Sequence, residues 1–122
     1  MRSLFGYGAL AILAAGAMHI PAPASAAGFK SGNDLWEDCR VSERDAEYFT
    51  RIGRCTAYIA GAADSLLMVS AFNKGSFCLP ANVTLGQLTD VVAGYLRDNP
   101  AKRHMSASLL VGEAVLASFK CT

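Results

Sequence analysis

The stretch "FCLPANVTLGQL", residues 77–88, sets a cysteine and a proline just ahead of Thr84 and Gln87. Thr84-x-x-Gln87 is a capping box: the threonine hydroxyl accepts from the amide three residues on, and the glutamine reaches back to the cap's own amide. Two donors that a helix start leaves unpaired are thereby satisfied. Val83 and Leu88 flank the cap at the spacing of a hydrophobic staple. Leu88, Val91, Val92, Tyr95 and Leu96 then recur at three- and four-residue steps, the face of an amphipathic helix. That helix is expected to end at Asp98-Asn99-Pro100, because a residue before proline resists helical geometry. Cys78 is therefore either a reactive group beside a helix N-terminus or a staple that fixes where the helix begins. The rest of the chain decides.

The tripeptide at 98–100 also predicts the start of a last helix, with Asn99 as cap and Pro100 at the first helical position. Lys102, Arg103 and His104 fall in its first turns. Leu109, Gly112, Leu116 and Phe119 form one apolar row along it, with Leu110, Ala114 and Ala117 beside. So close a junction makes the two helices an antiparallel hairpin. Upstream, Ser31-Gly32-Asn33-Asp34 offers capping side chains for a short helix ending near Cys39. Residues 40–51, RVSERDAEYFTR, are the most charged stretch and read as a loop or frayed turn. From Ile52 to Phe72 the pattern is again helical: Ile52, Cys55, Ile59, Ala62, Ala63 and Leu66 make one face. A second stripe, Ala57, Gly61, Asp64 and Met68, is almost as apolar. A helix apolar on both sides is buried within its fold or between subunits, so this stripe is a candidate packing or dimer surface. Asp64 on it reads as a solvent-facing carboxylate or a paired interface group. Asn73-Lys74-Gly75-Ser76 breaks the helix, with Gly75 suited to a positive-φ C-terminal position. The fold expected is all-α, a small disulfide-stapled bundle of about four helices.

Compartment follows from the N-terminus. Arg2 precedes an uncharged apolar run, residues 4–18, and Ala24-Ser25-Ala26 supplies small residues at −3 and −1 of a cleavage site. This describes a secretory signal peptide, residues 1–26, cut after Ala26. At roughly 15 residues the run is shorter than the about 20 a membrane span needs. The mature domain would be residues 27–122, exported and soluble. Formal net charge is +1 for the whole chain, and losing Arg2 brings it to zero. No basic surface for nucleic acid and no membrane association of the mature chain is expected.

Four cysteines, Cys39, Cys55, Cys78 and Cys121, all lie in the mature part. An even set in a small exported domain reads as two disulfides. No CxxC is present and neither histidine stands at zinc-like spacing from a cysteine, so no metal or redox dithiol is expected. Three pairings are possible. The hairpin brings Cys121 back towards Cys78, and Cys39 then pairs with Cys55, so that topology is favoured. His104, the single histidine after cleavage, has Lys102 and Arg103 beside it but no orienting acid. With no activated nucleophile, phosphate loop or cofactor motif, no catalytic residue, cofactor or enzymatic activity is expected. Cys78 reads as a staple.

The strings FKSGNDLWEDC, CTAYIAGAAD, FCLPANVTLGQLTDVVAGYLRDNPAKRH and LLVGEAVLASFKC together resemble the Rap/Tai family of type VI secretion immunity proteins. Ala57 stands where the family usually has glycine, and Lys120 where it usually has proline. The resemblance implies a helical periplasmic protein, commonly a homodimer, that binds and blocks a papain-like peptidoglycan amidase effector. Its contact surface is expected in the charged stretch, at Glu43, Arg44 and Asp45, or in the break at Asn73 and Lys74, since exposed loops on a stapled scaffold often carry recognition. The alternative readings are a periplasmic helical chaperone or stress protein, and an envelope protein with no effector.

Overall fold

A computed structural model describes residues 28–72 and 77–121. The expected leader with its cleavage site, and the break containing Asn73, Lys74 and Gly75, lie outside the described residues. Four helices run in order: α1 (Gly32–Cys39), α2 (Tyr48–Phe72), α3 (Leu85–Asp98) and α4 (Ala107–Ser118). No named strand occurs among the described residues, and each helix packs against the other three. The protein is an all-α bundle held by two disulfides.

Two of the sequence-marked helix starts are capping boxes. In α3, Gln87 N–H donates to Thr84 Oγ1 (3.2 Å) and Thr84 N–H to Gln87 Oε1 (2.9 Å). In α1, Asp34 plays the part of the glutamine: Asp34 N–H donates to Ser31 Oγ (3.2 Å) and Ser31 N–H to the Asp34 carboxylate (3.0 Å). The Ser31 hydroxyl, which donates to the same carboxylate (2.6 Å), and then the Ser31 N–H hold the Asp34 carboxyl below its ordinary range.

Two boundaries differ from the periodicity. Helix α2 begins at Tyr48, a turn before Ile52. Asp45 organises the lead-in: its carboxylate accepts Glu47 N–H (2.8 Å) and its carbonyl accepts Tyr48 N–H (3.0 Å). The last helix begins later than Asn99-Pro100 suggests. Pro100–Lys102 is a 3-10 turn, and α4 starts at Ala107. The reason is tertiary. Arg103 and Met105 carbonyls accept Asn33 and Gly32 N–H (2.7 and 2.8 Å), and Ala107 N–H donates to the Lys30 carbonyl (2.9 Å). Backbone groups committed to the N-terminal segment cannot also continue a helical ladder. The Arg103 guanidinium, 4.4 Å from the Trp36 ring, also donates to the Leu96 and Arg97 carbonyls, closing the end of α3.

The core is Leu35 from α1, Cys55 and Ile59 from α2, Val92 and Leu96 from α3, and Leu110, Val111 and Val115 from α4, all fully buried. Leu109 and Leu116, expected in the apolar row of the last helix, are instead about half exposed. Helix α4 is apolar on nearly every side, so periodicity could not choose its inner face; packing selects Leu110, Val111, Ala114 and Val115. Tyr95 O–H donates to Glu113 (2.5 Å) and Lys102 donates to the same carboxylate (2.9 Å), fastening α3 to α4 at the rim. The hydrogen bond from Tyr95, then that from Lys102, holds Glu113 below the usual carboxylate range.

Candidate protein-binding site

Two surfaces offer recognition chemistry, and both are built around α2. The first is the turn between α1 and α2. Its base is the Cys39–Cys55 disulfide, and a second disulfide joins Cys78 to Cys121; the Cα atoms are 5.1 Å apart in each. Within the turn, Ser42 Oγ accepts Arg44 N–H (3.3 Å) and the Ser42 carbonyl accepts Asp45 N–H (2.9 Å). Arg51 reaches back to the Glu37 carbonyl and makes ion pairs with Asp45 and Glu37, each at 3.6 Å. Beneath lies Asp38, its side chain only 8% exposed, bound by Lys30 (2.7 Å) and Arg54 (3.0 Å). Burial alone would push Asp38 up, but the hydrogen bonds from Lys30 and Arg54 outweigh it and hold the carboxyl below its ordinary range.

Residues 40–47 form the turn that the charge run suggests, tied down by these bonds rather than frayed, while residues 48–51 belong to α2. Glu43, Arg44 and Asp45 are all exposed on the turn. Asp45 is engaged with Arg51, while Glu43 and Arg44 form no ion pair among the described residues. Phe49, in the first turn of α2, is 87% exposed and meets Tyr48 edge-on at 5.3 Å. A sequence reading passes over Phe49, although it lies one turn before Gly53 and two before Ala57 on the same helix face.

The second surface is the outer face of α2. Ala57, Gly61, Asp64 and Met68 are all exposed there, continued by Leu67, Val69 and Phe72. Between α2 and α4 runs a groove of about 760 Å³, whose walls include Tyr58, Leu66, Val69 and Leu109. A Cβ at Gly53 or Gly61 would meet nothing within 4 Å. The Asp64 carboxylate makes no ion pair or hydrogen bond with any described residue. By length and mean hydropathy (1.4) α2 would qualify to cross a membrane. Its inner side is nonetheless packed, with Cys55, Ile59 and Ala63 in the core.

The described residues offer little to reaction chemistry. All four cysteines are consumed in disulfides. His104 is exposed, its Nδ1 3.0 Å from the Ala101 carbonyl. No cluster of metal-ligating side chains occurs among the described residues. What the surface offers is binding: a rigid charged turn with an aromatic beside it, and a long apolar helix face. The family model of the Rap1a immunity proteins matches residues 31–121, from the α1 cap to the last cysteine. A search of curated proteins finds no match.

Proposed function

From the chain's membership of the Rap1a immunity protein family, we propose that it protects the cell producing it by binding a peptidoglycan amidase delivered by type VI secretion. It acts in the periplasm, after removal of residues 1–26, as a homodimer with no catalysis and no cofactor of its own. The family match over residues 31–121 carries this reading. The two disulfides fit an oxidising compartment.

Inhibition by occlusion needs a surface that keeps its shape, because ordering a loose loop on binding costs affinity. The tied turn at 40–47 meets that need, and Glu43, Arg44 and Asp45 are its proposed contacts, with Asn73 and Lys74 as the second contact segment. The test is a titration of the disulfide-bonded protein against a cognate amidase, read as release of cleaved peptidoglycan peptide. Stoichiometric loss of activity is expected, weakened by charge reversal at Glu43, Arg44 and Asp45. Undiminished inhibition by the reversed variant would remove the turn from the contact. Absence of inhibition, with suppression of client aggregation at about pH 3, would favour a chaperone.

A further inference from the structure

We infer that the Cys78–Cys121 disulfide is a site of reversible exchange with dithiols, opening while Cys39–Cys55 stays closed and the bundle stays folded.

The two bonds differ in what surrounds their sulfurs. Cys78 and Cys121 are both exposed. Cys55 is fully buried, and Cys39 is half-buried and packed against the core. Exchange needs a thiolate to reach one sulfur and the other sulfur to depart as a thiolate. At Cys39–Cys55 both directions are closed. Attack at Cys55 is blocked by the core around it. Attack at Cys39 would leave the Cys55 thiolate inside that core, and an unpaired buried charge is expensive. At Cys78–Cys121 either sulfur can be reached, and the thiolate released on the other is met by water.

The surroundings also set the direction of attack. Cys121 lies beyond the end of α4, next to the exposed Lys120. Cys78 stands between buried Phe77 and half-buried Leu79. Access and the Lys120 charge both direct an incoming thiolate to Cys121. A new S–S bond then forms to Cys121 Sγ. The bond to Cys78 breaks, its electron pair leaves on Cys78 Sγ, and that sulfur takes a proton from water. The second thiol of the reductant loses its proton to water and attacks its own partner sulfur in the mixed disulfide, releasing Cys121 as the other thiol. Two electrons pass from the dithiol, oxidised to its disulfide, to the cysteine pair. The co-reactant is thus a molecule carrying two neighbouring thiols.

Reversibility follows from how the ends are held. Ser70, buried on α2, accepts the Phe77 N–H (3.1 Å) and donates to the Phe77 carbonyl (3.3 Å). Phe119 packs against the core, and its N–H donates to the Val115 carbonyl (2.8 Å). Each cysteine is therefore positioned by a neighbour that does not depend on the bond. Opening it removes a cross-link but leaves the two thiols close enough to be joined again by a disulfide donor.

Timed reduction of the oxidised protein with dithiothreitol tests this. Samples are quenched by alkylation, the labelled cysteines are mapped by peptide mass spectrometry, and helical content is followed in parallel by circular dichroism. Cys78 and Cys121 should be labelled as a pair, at least about 10-fold faster than Cys39 and Cys55. Helical content should be retained, and added oxidised glutathione should close the pair again. Reduced glutathione, with its single thiol, should leave its adduct on Cys121. Reduction of Cys39–Cys55 first, labelling of all four cysteines together, or loss of helical signal as the exposed pair opens would each overturn the inference. An adduct on Cys78 would overturn the direction of attack.

Discussion

Replacing Asp38 by alanine removes the acceptor that ties the segment before α1, through Lys30, to α2, through Arg54. The size of the loss depends on how well the abandoned cations can be rehydrated. Breaking a sealed ion pair typically costs 3–5 kcal/mol, because the remaining charge stays buried. A fully exposed pair contributes about 0–1 kcal/mol. Asp38 sits between these limits: its own side chain is 8% exposed, but those of Lys30 and Arg54 are 22% and 55% exposed. Both cations can turn towards water once the carboxylate is gone. The expected cost is therefore about 2 kcal/mol, at the level of charge-assisted hydrogen bonds rather than of a buried charge. For a domain this small that lowers the melting temperature by about 10 °C.

The pH dependence supplies a second check. The folded carboxyl is held below its unfolded value of about 3.9. Its contribution is thus complete above the unfolded pKa and is lost as pH falls through the folded one. Urea unfolding, followed by far-UV circular dichroism with the disulfides intact, should separate wild type from Asp38→Ala by about 2 kcal/mol at pH 7. The two should converge as pH falls through the folded pKa and the wild-type carboxylate takes up its proton. A difference below about 0.5 kcal/mol at pH 7, the range of neutral surface substitutions, or one that persists undiminished through that titration, would refute the assigned role.

Loop-closure entropy separates the two disulfides. Replacing Cys78 and Cys121, 43 residues apart, by serine should cost about 4 kcal/mol, and replacing Cys39 and Cys55, 16 apart, about 3 kcal/mol, as read from urea midpoints. Equal losses, or a larger loss at the shorter ring, would locate the stabilisation in native packing instead. Gly32→Ala places a Cβ 2.8 Å from the Arg103 carbonyl, a contact that forces the α1 cap off the α3–α4 junction. A loss of about 2–3 kcal/mol is expected, whereas Gly61→Ala, which meets nothing in its own protomer, should leave monomer stability unchanged or raised.

How far the fold is legible in the sequence depends on where each signal originates. Thr84 and Gln87 satisfy one another within a single turn, so that helix start needs no knowledge of the rest of the chain. The same holds for Ser31 with Asp34. The start of α4 is not local: residues 103–107 are drawn out of helical geometry by Lys30, Gly32 and Asn33, 70 or more positions away in sequence, and no short window of sequence contains both partners. The inner face of α4 is hidden for another reason. Apolar residues on all sides give periodicity nothing to select, so Leu109 and Leu116 could be told from Leu110 and Val115 only by packing.

The proposed effector contact divides along the same line. Its charges stand out in RVSERDAEYFTR, but the rigidity that makes them usable comes from Arg51 reaching Glu37 and from the Cys39–Cys55 bond.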